Sequence, residues 1–134
     1  MKLEFWQRSV EVHVTVSAQD FRAFAELTKD DAPHHLDSNL AKSMGYKDCV
    51  GQGLLVLSLS GEASSEYLRV INRNGVTYGY DKLRFPSPVY NGDRLTITYE
   101  PESISEKSVV SSKITVKTAS GDVALAGAHL LKIL

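Results

Sequence analysis

The chain has 134 residues, of which 43% are hydrophobic and 23% are charged, and its formal net charge is -1. This length suits one domain, so residues 1–134 are treated as a single unit with its own core. The near-zero net charge argues against a protein that coats nucleic acid, and the longest apolar stretch, within "GLLVLSLS", is too short to span a bilayer.

Cys49 is the only cysteine, which excludes an intrachain disulfide and a zinc site built from several cysteines. A reduced, cytoplasmic setting is expected. The first ten residues, "MKLEFWQRSV", carry charges and lack the apolar run of a secretory signal. The four histidines are scattered without the spacing of metal ligands, so no metal is expected.

The first part of the chain predicts a strand followed by a helix. Residues 10–16 alternate valine with polar side chains, which is typical of a strand with one buried face. Residues 18–28 repeat apolar side chains at helical spacing, and Ser17 before them is a suitable N-cap. This helix should end before Pro33, because the residue that precedes a proline avoids the helical region.

Two more helices are predicted before the chain turns to strands. A short helix is capped by Asp37 or Ser38 and ends at Gly45. The longest helix covers residues 54–71, and its first six residues are almost entirely apolar. That composition predicts burial on every side, so other elements must surround this helix.

The second half of the chain predicts four strands joined by short connections, which favour antiparallel pairing. We expect these strands to form a four-stranded meander, with a tight turn at "SGD". The predicted architecture is α+β, with a curved antiparallel sheet wrapped around the long central helix. The predicted strands cover residues 75–85, 95–102, 109–118 and 123–134.

The charged stretch "TKDDAPHHLD" contains the strongest candidates for proton transfer. Asp30 and His35 lie five residues apart after the first helix, and Pro33 stiffens the chain between them. A carboxylate and an imidazole that share one water form a general acid–base pair, although a solvated, charged turn gives the same pattern. In "GQGLL", Gly53 starts the apolar helix, where a free backbone N–H can stabilise an oxyanion.

These pieces, taken in order, resemble the MaoC-like hydratases of the hot-dog fold, in particular the (R)-specific enoyl-CoA hydratases. The resemblance covers nearly the whole chain. It rests on three groups of matching residues: Thr28, Asp30, Pro33, His35, Asp37 and Ala41 in the first motif; Val50 and Gly53 before the apolar helix; and Phe85, Pro88, Val89, Gly92 and Asp93 in the third.

The resemblance implies an enzyme that adds water to trans-2-enoyl-CoA and forms (R)-3-hydroxyacyl-CoA, or that catalyses the reverse dehydration. Asp30 and His35 would act on one water, and the N–H of Gly53 would bind the thioester oxygen. Pro33, Gln52 and Leu54 would contact the substrate. The family implies no metal and no redox cofactor, with coenzyme A, or an acyl carrier protein, only as the carrier of the acyl group. It also implies a homodimer.

Four residues depart from the family pattern: Lys29, Ala32, His34 and Gln52. Lys29, beside Asp30, introduces a long charged side chain that can narrow the pocket, and Gln52 replaces the histidine that usually precedes the oxyanion glycine. These departures leave a non-catalytic acyl-CoA-binding protein open as an alternative. A hot-dog acyl-CoA thioesterase also stays open, because it shares the fold and the ligand but hydrolyses the thioester. The strand histidines, His13 and His129, are expected to be structural.

Overall fold

The computed structural model describes residues 2–134, which form five strands, four α-helices and one short 3₁₀ turn. In chain order these elements are β1 (Val10–Thr15), α1 (Ala18–Thr28), the 3₁₀ turn (Pro33–His35), α2 (Ser38–Ser43), α3 (Gly53–Leu59), α4 (Gly61–Ile71), β2 (Gly75–Arg84), β3 (Arg94–Ile104), β4 (Val109–Lys117) and β5 (Val123–Ile133).

The strands form one antiparallel sheet in the order β1-β3-β4-β5-β2. Strands β3, β4 and β5 are a meander, but β2 pairs with β5 at the far edge and not with β3. The predicted four-stranded meander is therefore wrong in its first connection. The segment between β2 and β3 crosses from one edge of the sheet to the other side of the meander. The sequence does not reveal this crossing, because strands that follow each other in the chain usually pair.

Helices α3 and α4 lie against the inner face of the sheet, and the expected α+β architecture is confirmed. Helix α4 contacts β1 and β3, and its apolar face buries Ala63, Tyr67 and Ile71. The Tyr67 hydroxyl donates a hydrogen bond to the Trp6 carbonyl at 2.7 Å, which satisfies this buried polar group. The sheet buries mainly aliphatic side chains on this face, including Leu95 and Ile97.

The predicted long helix is interrupted. Its two parts, α3 and α4, meet at Ser60, whose backbone is still right-handed, and the Ser60 hydroxyl donates to the Leu57 carbonyl at 2.5 Å. Burial on every side is also wrong for this segment. Leu55 and Val56 are buried, whereas Leu54 is 56% exposed, because only one face of α3 contacts the sheet.

The predicted helix starts are confirmed by their caps. Ser17 accepts a hydrogen bond from the Asp20 N–H, and the Asp20 carboxylate accepts one from the Ser17 N–H, so the two residues form a capping box. Asp37 caps α2 through the N–H groups of Asn39 and Leu40. Among the helices of residues 2–134, none is long and apolar enough to cross a membrane.

Candidate functional site

The end of α1 places Asp30 at the edge of the fold. Lys29 takes the left-handed conformation, with φ of 65°, and its N–H donates to the Ala25 carbonyl at 2.8 Å. This conformation ends the helix and turns the chain away from its axis. The Lys29 side chain is exposed and makes no ion pair with Asp30. Lys29 lines a separate surface cavity with Arg22 and Asp31, so an effect of its side chain on the substrate pocket stays a prediction.

The backbone of Asp30 is held from both sides. Its N–H donates to the Thr28 hydroxyl at 3.1 Å, and that hydroxyl donates to the Phe24 carbonyl at 2.7 Å. Its carbonyl accepts a hydrogen bond from the Gln52 amide at 3.3 Å. Asp30 therefore lies in a loop, but the orientation of its peptide groups is fixed by neighbouring residues.

His35 ends the 3₁₀ turn that Pro33 begins, and one of its two ring nitrogens, Nδ1, is hydrogen-bonded to the backbone. Because a carbonyl oxygen only accepts, His35 Nδ1 must carry the proton that it shares with the Val50 carbonyl at 2.7 Å. In the neutral ring, Nε2 is then the free proton acceptor. This Nε2 lies 3.9 Å from Asp30 Oδ1, and the two side chains are 11% and 34% exposed, respectively.

The neighbouring His34 packs against His35, with ring centroids 4.0 Å apart. Burial, followed by the charge of His35, lowers the pKa of His34 below its ordinary value. The His34 carbonyl accepts a hydrogen bond from the Val50 N–H at 3.1 Å. Val50 thus fixes both histidines, one through its N–H and the other through its carbonyl.

Residues 50–53 connect the parts of the site, and we call them the 50–53 segment. After Val50, the Gly51 N–H donates to the Val89 carbonyl at 2.8 Å. A Cβ on Gly51 would lie 2.9 Å from the Phe21 ring, so only glycine fits this close approach. Gln52 follows and bonds to Asp30, and Gly53 then starts α3. The 50–53 segment therefore contacts both His35 and Asp30 and also contains Gly53.

Gly53 supplies the candidate oxyanion donor. It is the first residue of α3, and its N–H donates to no group within residues 2–134. A Cβ on Gly53 would lie 3.2 Å from the Phe85 ring, so glycine allows this ring to pack against the start of the helix. The free N–H is a suitable partner for an oxygen that gains negative charge.

A cavity of about 320 Å³ lies next to this N–H. Gly53 and Val50 form one side of the cavity, and Asp30 and His35 are not among its walls. Its size and mixed walls suit part of a small organic ligand. The remaining wall comes from aromatic, proline and small residues together with one serine, namely Tyr46, Gly51, Val56, Phe85, Pro86, Ser87, Pro88, Val89 and Ala124.

The structure brings together the three predicted catalytic residues around the 50–53 segment, while the predicted substrate contacts differ in their placement. Pro33 and Leu54 are exposed, so a ligand can reach them. Gln52 is 0% exposed and donates to the Phe21 and Asp30 carbonyls, so its side chain lies behind the site. All three assignments to substrate binding stay predictions.

Sequence reasoning missed the role of the Val50 carbonyl, because any residue can provide a carbonyl and no side-chain pattern marks it. Cys49 beside it is half-buried, and burial together with Asp48 raises the pKa of its thiol, which disfavours the reactive thiolate. In the part of the chain that the structure describes, no three His, Cys, Asp or Glu side chains are grouped to hold a metal ion.

Comparisons with known proteins show which family and which solved folds this chain is similar to. A family model described as a MaoC like domain matches residues 6–123. An (R)-specific enoyl-CoA hydratase from Aeromonas caviae is 28% identical over 117 residues, which are 87% of this chain and 85% of that protein. A solved structure of an (R)-hydratase from A. caviae involved in PHA biosynthesis has a TM-score of 0.85 at 25% identity, with 96% of each chain covered.

The name of a second relative specifies an acyl carrier protein, and not coenzyme A, as the carrier of the acyl group. A mitochondrial 3-hydroxyacyl-(acyl-carrier-protein) dehydratase from Solanum lycopersicum is 32% identical over 111 residues, which are 81% of this chain. The aligned part is 63% of that protein, so this chain spans less than two thirds of that relative's length.

Proposed function

Because the chain belongs to the MaoC-like domain family, we propose that it hydrates trans-2-enoyl-CoA to (R)-3-hydroxyacyl-CoA, or catalyses the reverse dehydration. The family match confirms the resemblance that the motifs indicated. The relatives named hydratase and dehydratase place the chain among the hydro-lyases. The substrate and the steps below are part of the proposal.

The observation that carries the proposal is the Asp30–His35 pair. Their facing atoms, Oδ1 and Nε2, are 3.9 Å apart, which is too far for a direct hydrogen bond. A water molecule at an ordinary hydrogen-bond distance of about 2.8 Å from both atoms fits this separation. The pair can therefore hold one water with its oxygen turned toward a substrate.

The proposed hydration forms one C–O bond and moves two protons. The water oxygen bonds to the β-carbon of the enoyl thioester, and the pair takes one proton from that water. The electrons of the double bond move toward the thioester carbonyl, and the α-carbon then takes a proton from the pair. His35 Nε2 suits proton exchange because Nδ1 stays bonded to the Val50 carbonyl throughout.

The Gly53 N–H would stabilise the enolate oxygen of the intermediate. It stands at the start of α3, where the helix dipole favours negative charge, and it borders the cavity that would accept the thioester end of the substrate. Removal of one such donor typically lowers kcat by about 100- to 1,000-fold.

The proposal requires no metal and no redox cofactor, because acid–base groups and a backbone donor supply each step. Coenzyme A, or an acyl carrier protein, would be present only as the carrier of the acyl group. A cytoplasmic location likewise stays a prediction.

We further propose that the chain forms a homodimer through the free edge of β2. Within residues 2–134 this strand pairs with β5 alone, so its other edge presents unpaired backbone groups. Two large side chains on β2 are exposed, Tyr78 at 72% and Val76 at 53%. A second copy pairing along this edge would satisfy the backbone groups and cover these side chains.

The proposed function is tested with crotonyl-CoA and purified protein, beside Asp30→Asn as a variant of the same shape. Wild type should remove the enoyl-thioester absorbance without release of free thiol, and the product should be the (R) enantiomer. Asp30→Asn should lose this activity. Thiol release would instead indicate the thioesterase. If the protein binds crotonyl-CoA and longer enoyl-CoAs without turnover, it is instead a non-catalytic acyl-CoA-binding protein.

A further inference from the structure

Gln52 is the one residue of the 50–53 segment whose side chain is entirely enclosed. It is 0% exposed, and its amide nitrogen donates to the Phe21 carbonyl at 2.9 Å and to the Asp30 carbonyl at 3.3 Å. Its amide oxygen is also buried and has no hydrogen-bond partner among the described residues. This side chain therefore joins α1, the Asp30 loop and the start of α3.

We propose that Gln52 is a positioning residue that sets the Asp30 carboxylate relative to the Gly53 N–H. This inference rests on the proposed function. Gln52 is the N-cap of α3, directly before Gly53, and it is 22 residues from Asp30 in sequence. Because the general base and the oxyanion donor come from distant parts of the chain, only contacts across the fold can fix their separation.

Asp30 needs such a contact. It follows Lys29, whose left-handed conformation ends α1, and the Asp30 side chain is partly exposed. The N–H of Asp30 bonds to the exposed Thr28 hydroxyl at the end of α1, which is a local contact only two residues away in sequence. Within residues 2–134, Gln52 is the only donor to the Asp30 carbonyl, and it is anchored in the core by its second bond to Phe21.

The unpartnered amide oxygen argues that Gln52 does more than stabilise the fold. A buried acceptor without a donor costs free energy, and an apolar side chain of similar length would avoid that cost. Replacement of Gln52 by methionine would remove this unfavourable group together with the two favourable hydrogen bonds. The Asp30 carbonyl then has no donor, so Gln52→Met should also be less stable than wild type, and its kcat is compared per folded molecule. Effects on stability and on turnover can therefore be separated.

The placement also assigns Gln52 a different role from the substrate contact that the sequence suggested. A side chain with no exposed surface cannot touch a ligand unless the site rearranges. Gln52 acts on the substrate only through Asp30, so its removal should lower kcat and leave KM nearly unchanged.

The test is a double-mutant cycle between Gln52→Met and Asp30→Asn, with hydration of crotonyl-CoA as the measurement. Gln52→Met should lower kcat by about 10- to 100-fold, the scale of a small misplacement of a catalytic group. KM should change little, and kcat is expressed per folded molecule because the melting temperature should fall. In the Asp30→Asn background, Gln52→Met should cause no more than about a twofold further loss, because residues that act through one another are not additive.

Ser112→Ala is the matched control. The Ser112 hydroxyl is the other buried side-chain atom without a partner in the described chain, and it lies on β4, away from the 50–53 segment. Its removal should leave kcat unchanged. An unchanged kcat in Gln52→Met, or equal losses in the wild-type and Asp30→Asn backgrounds, would overturn the proposal. Gln52→Leu is judged by the same criteria if Gln52→Met does not fold.

A structural measurement separates this inference from the proposed function. If wild type hydrates no enoyl thioester, the proposed function fails, but the positioning claim can still be tested. The crystal structures of wild type and Gln52→Met should then differ in the place of the Asp30 carboxylate, with a changed distance to His35 Nε2. An Asp30 that keeps its position in Gln52→Met would overturn the claim.

Discussion

His35 and His129 are both held by hydrogen bonds of ordinary length, yet their surroundings differ in one respect. His129 on β5 is 1% exposed, and both of its ring nitrogens have partners: the Tyr99 hydroxyl at 2.7 Å and the Thr77 hydroxyl at 3.0 Å. His35 has one committed nitrogen, while the other faces the Asp30 carboxylate across 3.9 Å. A histidine with a free ring nitrogen can exchange a proton with a ligand, whereas a buried histidine with both ring nitrogens hydrogen-bonded cannot.

The electrostatic surroundings of His129 support the same distinction. Burial lowers the pKa of His129 to about 4, so this ring is neutral at pH 7 and can satisfy one donor and one acceptor. Burial also raises the pKa of Tyr99, which keeps its hydroxyl protonated. The buried cluster is therefore a fixed part of the sheet. His35 therefore differs from His129 in keeping one ring nitrogen available, opposite the Asp30 carboxylate.

The largest expected effect comes from His35→Gln. Glutamine keeps an amide that can donate to the Val50 carbonyl, but it cannot exchange a proton with water. We expect kcat for enoyl-CoA hydration to fall by about 100- to 10,000-fold, the range of general acid–base catalysis. Circular dichroism and thermal unfolding should match those of wild type. Retention of activity within threefold of wild type would remove His35 from the mechanism.

The next largest effect is expected from Gly53→Pro, with Gly53→Ala as its matched control. Proline fits the first position of a helix, and Gln52, with ψ of 137°, has the backbone that a following proline requires. Both variants place a Cβ against Phe85, but only proline removes the N–H. We expect Gly53→Pro to lower kcat about 100-fold or more below Gly53→Ala. Equal kcat values in the two variants would exclude this N–H as the oxyanion donor.

His129→Leu should change stability and not turnover. The pKa of His129 is about 4 in the folded chain and 6.5 in the unfolded chain, so the unfolded chain binds more protons between these values. The free energy of unfolding of wild type should therefore fall as the pH drops from 6.5 towards 4, by about 3 kcal/mol in total.

His129→Leu should be less stable at pH 7, because Tyr99 and Thr77 lose a partner, but it should lose this pH dependence. Denaturant titrations at several pH values measure both effects. The same acid sensitivity in wild type and His129→Leu would contradict the assignment of a buried, neutral ring.

The smallest effect is expected from Lys29→Gly. Lys29 has φ of 65°, a conformation that favours glycine, and its side chain is exposed. The substitution should raise the free energy of unfolding by up to about 1 kcal/mol, with no change in kcat or in substrate preference. A shift in either kinetic quantity would show that the Lys29 charge acts on Asp30 or on the substrate.

The elements with strong local signals were predictable from sequence. The alternation in β1, the Ser17 and Asp37 caps and the turn chemistry between later strands each depend on neighbouring residues, and the structure has these elements within a few residues of the predicted bounds. The place of β2 was not predictable, because its pairing with β5 is set by the crossing of a long connection over the fold.

In the candidate site, too, residues with a local sequence pattern were predictable and contacts across the fold were not. Asp30, His35 and Gly53 were identified because their side chains, or the lack of one, belong to a recognisable pattern. The hydrogen bond from His35 to the Val50 carbonyl spans 15 residues, and that from Gln52 to the Asp30 carbonyl spans 22. Both hydrogen bonds use backbone carbonyl acceptors, which every residue has, so no sequence pattern predicts them. These contacts decide which nitrogen of His35 is free and where Asp30 lies.

The most direct test of the account compares hydration of crotonyl-CoA by wild type, His35→Gln and His129→Leu at neutral pH, with the folded fraction of each protein measured in the same buffer. Wild type should be active, His129→Leu should have nearly the same activity per folded molecule, and His35→Gln should lose at least about 100-fold. Comparable losses in both variants, or full activity in His35→Gln, would contradict the assignment of proton transfer to the Asp30–His35 pair.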